Sequence, residues 1–81
     1  MEKKITDYYM VIDTTGLRCP LPVLKVRKNL PTLKKTDLVL IIADDPLAEI
    51  DLRHFCSVKN YEMKKISANQ SDKKQYYEIK C

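Results

Sequence analysis

The alternation of apolar and polar positions changes character several times along the chain, and each change marks an element. Tyr8 to Asp13 alternates and carries Val11 and Ile12, which predicts a first strand after a frayed start. From Val23 the apolar residues Val26, Leu30 and Leu33 recur at helical spacing with Lys25, Lys28 and Asn29 between them. This predicts a first helix of about three turns, failing at Pro31. Leu38-Val39-Leu40-Ile41-Ile42-Ala43 is an unbroken apolar run, as expected of a central strand. Asp45-Pro46 then offers a cap followed by proline at the first helical position, and Ala48, Leu52, Phe55 and Cys56 form the buried stripe of a second helix ending before Tyr61. Tyr61 to Ser67 and Gln75 to Cys81 read as closing strands joined by a polar hairpin loop at Ala68 to Lys74.

The order is therefore β-α-β-α-β-β. It predicts an α/β (α+β) two-layer sandwich, a mixed four-stranded sheet with two helices on one face and the other face open. A chain of 81 residues is expected to form a single domain over residues 1–81, and 44% hydrophobic residues suffice for one modest core. No repeat, linker or low-complexity tract interrupts it.

Three cysteines at positions 19, 56 and 81, with one histidine, fit neither a disulfide framework nor a zinc quartet, so no metal is expected. No apolar stretch suits a signal peptide or a membrane span, which points to a cytoplasmic protein with reduced thiols and no membrane partner. Net charge is +4 but unevenly spread: residues 1–35 hold eight basic against three acidic side chains, residues 36–63 two against six, and residues 64–81 five against two. A basic half can attract RNA or an acidic protein, or be no more than a solvated surface.

The chemistry concentrates in Asp13-Thr14-Thr15-Gly16-Leu17-Arg18-Cys19-Pro20-Leu21-Pro22, between the first strand and the first helix. Gly16 is the only glycine, so its position predicts a backbone angle that other residues avoid. Pro20 fits the first helical position and pushes Cys19 into the extended conformation of an N-cap, while Pro22 disfavours helical angles at Leu21. A thiol at a helix start gains roughly 0.3–1 kcal/mol, up to ~2 where partly buried, in favour of its thiolate. With Arg18 and the free N–H of Leu21 as further help, Cys19 is expected to be a moderately activated nucleophile. Its alternative is an inert, buried thiol.

No general base lies nearby in sequence, and no Cys-x-x-Cys exists to form a redox pair. His54 reads as a surface residue and Cys56 as a core residue on the stripe of the second helix. A solitary nucleophile suits a stoichiometric relay better than a self-sufficient enzyme. Parallel strands joined by crossovers would bring both helix starts to one sheet edge, making Cys19 and Asp45 neighbours. Arg18, Lys25, Arg27, Lys28 and Asp45 are the expected partner-docking residues around that thiol. The competing reading is a small basic RNA-binding or regulatory module with an incidental thiol, in which Tyr8-Tyr9 and Tyr76-Tyr77 would offer stacking surfaces.

Asp13-x-x-Gly16-x-x-Cys19-Pro20-x-Pro22 resembles the signature of the TusA/SirA-like sulfur carriers. Leu24 to Lys28, Leu40 to Pro46 and Asp51 to Cys56 are similar to that family's first helix, second strand and second helix, so the resemblance spans nearly the whole chain. It implies the same two-layer fold. It also implies that Cys19 accepts sulfane sulfur as a persulfide from a cysteine desulfurase and relays it to a downstream acceptor protein, towards 2-thiolation of tRNA wobble uridine. The tRNA would then be met only indirectly. Pyridoxal phosphate would belong to the desulfurase, and this chain would need no cofactor. Two turns depart from the pattern: Lys34-Lys35-Thr36-Asp37 stands where a glycine is common before the second strand, and Asn60-Tyr61 replaces a frequent Gly-His.

Overall fold

The computed structural model describes residues 8–66 and 74–81. Six elements follow in the expected order: β1 (Met10–Asp13), α1 (Leu21–Asn29), β2 (Leu38–Ala43), α2 (Ala48–Lys59), β3 (Glu62–Ile66) and β4 (Gln75–Lys80). The start expected to fray, before Tyr8, and all but the last residue of the expected Ala68–Lys74 hairpin loop lie outside the described residues.

The sheet order is β1-β2-β4-β3. β1 runs parallel to β2, with Ile12 opposite Ile41, while β4 is antiparallel to both β2 and β3. β1, β2 and β3 thus share one direction, and both crossover helices start beyond the carboxyl ends of strands at one edge. The unbroken apolar run of β2 is explained by its place: it lies inside the sheet, between β1 and β4.

Val39, Ile41 and Ala43 of β2, with Tyr77 and Ile79 of β4, are fully buried in the same core as Val26 of α1 and Ala48, Leu52, Phe55 and Cys56 of α2. Burying each large aliphatic side chain contributes about 1.5–3 kcal/mol. The stripe read in the second helix is the one that packs. α1 is shorter than its periodicity suggests: it ends at Asn29, Leu30 is already extended, and Leu33 reaches the core from the following loop. Pro31 accounts for this, since the residue before a proline avoids helical angles.

Both departing turns are built without glycine. Lys34 N donates to the Asp37 carboxylate at 2.8 Å and Asp37 N to the Lys34 carbonyl at 2.9 Å, closing the turn before β2. At the end of α2, Asn60 takes a left-handed conformation (φ 60°). Tyr61 N donates to the Cys56 carbonyl and Asn60 N to that of Ser57, the paired bonds of a Schellman cap.

The tyrosine pairs divide between faces. Tyr77 is buried in the core and burial pushes its phenol up to about 12, whereas Tyr76, its neighbour in an alternating strand, belongs to the open face. On that face Tyr8 donates its hydroxyl to Glu78 at 2.6 Å. Glu78 is thus held by a tyrosine hydroxyl on that face, beside its register partner Lys64.

Candidate functional site

The loop between β1 and α1 is pinned from two sides. Asp13 accepts bonds from the backbone N–H (2.9 Å) and the hydroxyl of Thr15, and these bonds hold its carboxyl below the usual value of 3.8. Thr14 is fully buried, and its N–H and hydroxyl both donate to the Ile42 carbonyl at 2.7 Å. Leu17 N then reaches the Thr14 carbonyl at 3.1 Å, closing a turn with Gly16 at its third position and φ +85°. No atom lies within 4 Å of where a Gly16 Cβ would stand, so the glycine is there for its backbone angle and not for space.

The second side of the grip comes from two consecutive carboxylates after β2. Asp44 accepts the Gly16 N–H at 3.0 and 3.1 Å on its two oxygens. Asp45 accepts the Cys19 N–H at 2.6 Å on one oxygen and the Leu47 N–H at 3.0 Å on the other. Those two amide bonds hold the Asp45 carboxyl below the ordinary range, with the charge of Arg18 adding to the effect. Cys19 and Asp45 are thus neighbours, as the topology requires. Asp45 does not present itself to a partner, however. Its residue is 5% exposed and both oxygens face the protein's own amides, so it shapes the site and is not part of a docking surface.

The helix opens one residue later than the sequence suggests. Pro20, reached through a cis peptide bond, flanks α1, Leu21 is the first helical residue and Pro22 the second. Pro22 costs no hydrogen bond there, because N–H groups of the first turn have no partner within the helix. Its ring is among the fully buried side chains, a packing role its strain rule does not reveal. Asp45 likewise lies two residues ahead of the N-cap position, which Leu47 takes: its carbonyl accepts Ala48 N at 3.0 Å, and the regular helix starts only at Ala48.

Cys19 is exposed and free. The expected activation by its surroundings is not what the structure shows. The Leu21 N–H is donated to the Arg18 carbonyl at 2.7 Å, so it does not serve the sulfur. Instead Sγ donates to Oδ2 of Asp51, in α2, at 2.7 Å. That bond, with partial desolvation and the negative charges of Asp51 and Asp45, raises the thiol above its usual value of 9.0. The Asp51 carboxylate outweighs the helix end because it carries a full charge at contact with the sulfur, against a partial charge spread over a turn.

The remaining predicted residues scatter. Lys25 donates to the Asp13 carbonyl at 2.5 Å. Arg27 and Lys28 occupy the last turn of α1, roughly 10 Å along the axis from its start at 1.5 Å per residue. Arg27 lines a groove between the helices with Val23, Ile50, Asp51 and His54, which links it to the thiol through Asp51. His54 is exposed, as expected of a surface residue. The sequence reading missed Asp44 and Asp51. It also missed the exposed apolar side chains Leu21 and Leu24 of α1, Leu47 and Ile50 around the start of α2, and Val58 further along it, whose only sequence signal is that they fall off the buried stripes. Among the described residues no cluster of His, Cys, Asp or Glu is placed to hold a metal ion, and no helix is long and apolar enough to cross a membrane.

A two-layer α/β domain that presents an exposed thiol at a helix start, bonded to a carboxylate of the second helix, defines a class of small thiol-bearing proteins. Comparison with known families narrows it: the model for the sulfurtransferase TusA family matches residues 10–80, and the chain belongs to that family. Among solved structures, the SirA-like protein from Desulfitobacterium hafniense is similar in fold, with a TM-score of 0.72 at 21% identity over 88% of this chain and 95% of that one. Membership makes the protein a member of a family of sulfur carriers and sulfurtransferases.

Proposed function

We propose that Cys19 is the sulfur-bearing residue. It accepts sulfane sulfur from a cysteine desulfurase and passes it to an acceptor protein, in a cytoplasmic relay that ends in 2-thiolation of tRNA wobble uridine. The observation that carries this reading is the exposed, free Cys19 thiol, presented at the start of α1 by a loop that Asp44 and Asp45 hold rigidly. Pre-set geometry of this kind suits a group that two partners must reach in turn.

In the loading step the Cys19 sulfur attacks the outer sulfur of the donor's persulfide. A new S–S bond forms as the donor's S–S bond breaks, and the electron pair leaves on the donor's inner sulfur. The proton released by Cys19 ends on that leaving thiolate, so donor persulfide plus carrier thiol give donor thiol plus carrier persulfide. No external oxidant or reductant is needed. Docking is assigned to the surface around the thiol, where Arg18, Leu21, Leu47 and Ile50 are exposed, extending along the groove to Arg27.

Incubation with a cysteine desulfurase and L-cysteine tests the reading. The protein should gain the mass of one sulfur on the peptide that contains Cys19, and Cys19→Ser should remain at its unmodified mass. Normal loading of that variant would remove the basis of the proposal.

A further inference from the structure

Besides the sulfur that the proposed function uses, the site contains a carboxylate that the function does not yet explain. Asp51 projects from the first turn of α2, where a negative charge is favourable at a helix start for purely local reasons. Yet its Oδ2 lies 2.7 Å from Cys19 Sγ, across 32 residues of sequence, and no other side chain hydrogen bond to that sulfur is found among the described residues. We infer that Asp51 sets the protonation state of Cys19: its carboxylate holds the sulfur of the empty carrier as an S–H donor and is left without that donor once a sulfur has been loaded. This rests on Cys19 being the sulfur-bearing residue.

The argument is electrostatic and can be followed group by group. From α2, Asp51 faces the thiol directly. From the connection between β2 and α2, Asp45 adds a second negative charge, held in place by the N–H of Cys19 itself. From the thiol's own loop, the cation Arg18 acts on Asp45. A thiolate at Sγ would therefore stand against a carboxylate at contact, whereas a thiol satisfies that carboxylate with a hydrogen bond. The empty carrier is kept in the less reactive form, protected from stray electrophiles and oxidants.

Loading reverses the balance. The inner sulfur of a persulfide has no proton to donate, and the outer S–H is more acidic than a thiol. The outer sulfur therefore ionises more readily than the Cys19 thiol and, as an anion, is repelled by Asp51 and turned outward; it takes up a proton at the acceptor, whose thiolate then attacks it, forming the acceptor's S–S bond as the carrier's breaks and leaving the electron pair on the Cys19 sulfur. One carboxylate thus distinguishes the empty state from the loaded one, without any movement of the fold. In the groove that Asp51 shares with Arg27 and His54, a docking partner that brings a cation to the carboxylate would relieve the restraint on the thiol.

The test is the pH dependence of iodoacetamide alkylation at Cys19, read by peptide mass spectrometry so that Cys56 and Cys81 do not contribute. Asp51→Asn keeps an acceptor oxygen in place and removes the charge. Its midpoint is expected at lower pH than that of the unmodified protein, with alkylation at pH 7 faster by on the order of threefold, the gain in thiolate being partly offset by its lower nucleophilicity. Asp51→Glu should restore much of the original midpoint, which a merely structural residue would not do. Thiolate absorbance in the ultraviolet, measured in a variant lacking Cys56 and Cys81, gives the same midpoint independently of alkylation rates. An Asn variant that is folded and has an unmoved midpoint overturns the inference while leaving desulfurase loading of Cys19 intact. Failure of Cys19 to load in the unmodified protein, with the midpoint shifted as expected in the variant, instead overturns the carrier reading and with it the role assigned to the loaded state.

Discussion

Two cysteines of this chain stand in opposite surroundings, and both are held as thiols. Cys56 is 2% exposed among Ala48, Leu52 and Phe55, and desolvation, opposed in part by the charge of Arg53, pushes it up to about 11. Cys19 is exposed, and it is raised mainly by a hydrogen bond to a carboxylate. The first restraint is a property of the core and cannot be released without unfolding. The second is a single contact at the surface, which a partner, a proton or one substitution can remove. Reactivity in this fold therefore depends less on how acidic a cysteine is at rest than on how easily its restraint can be lifted.

The largest expected effect in this comparison comes from replacing the buried sulfur. Cys56→Ser puts a hydroxyl into an apolar site, and burying such a group without a good partner costs about 1–3 kcal/mol in proteins. Denaturant unfolding should report that loss, while the loading of Cys19 by a desulfurase persists under native conditions. A folded Cys56→Ser protein that cannot be loaded would break the comparison, because it would give the core sulfur a part in transfer.

The two regions also differ in how far they can be read from sequence. The core end was legible, since the run Leu38 to Ala43 and the stripe Ala48, Leu52, Phe55 and Cys56 are local patterns that burial enforces residue by residue. Gly16 was legible for a different reason: a chain with one glycine has little other cause to place it in that turn. The carboxylates of the site were not. Asp44, Asp45 and Asp51 reach Gly16, Cys19 and the thiol across 28, 26 and 32 residues, and in a linear reading such side chains look like solvated charges. The start of α1 was misplaced by one residue because proline is tolerated at several positions of a first turn, all of which lack an intrahelical partner.

A smaller effect is expected from the turn that presents Cys19. Gly16→Ala meets no steric obstacle, but it forces an L side chain to φ +85°, which costs roughly 1–2 kcal/mol. The thermal midpoint should fall modestly. The rate of desulfurase loading should fall with it if the turn sets the position of the thiol, and remain unchanged if Asp44 and Asp45 suffice to hold the loop. The second result would shift the explanation for presentation of Cys19 from the glycine to the carboxylates.

The smallest effect is expected at low pH, and it separates the two cysteine environments most sharply. Asp45 is held below the usual 3.8 by the Leu47 and Cys19 amides, with the bond to Leu47 contributing most. A carboxyl lowered in the folded state stabilises it fully above the unfolded value of about 3.9 and loses that contribution as pH falls through the lower folded value. The clamp is therefore intact throughout the neutral range and weakens only in acid. Amide proton shifts followed by NMR during acid titration should show Cys19 and Leu47 moving together, with a midpoint below 3.8, while the Cys56 amide inside α2 stays still. A midpoint at or above 3.8, or separate midpoints for the two amides, would show that Asp45 does not clamp the thiol loop to the start of α2, and presentation of Cys19 would then rest on Asp44 and the Gly16 turn alone.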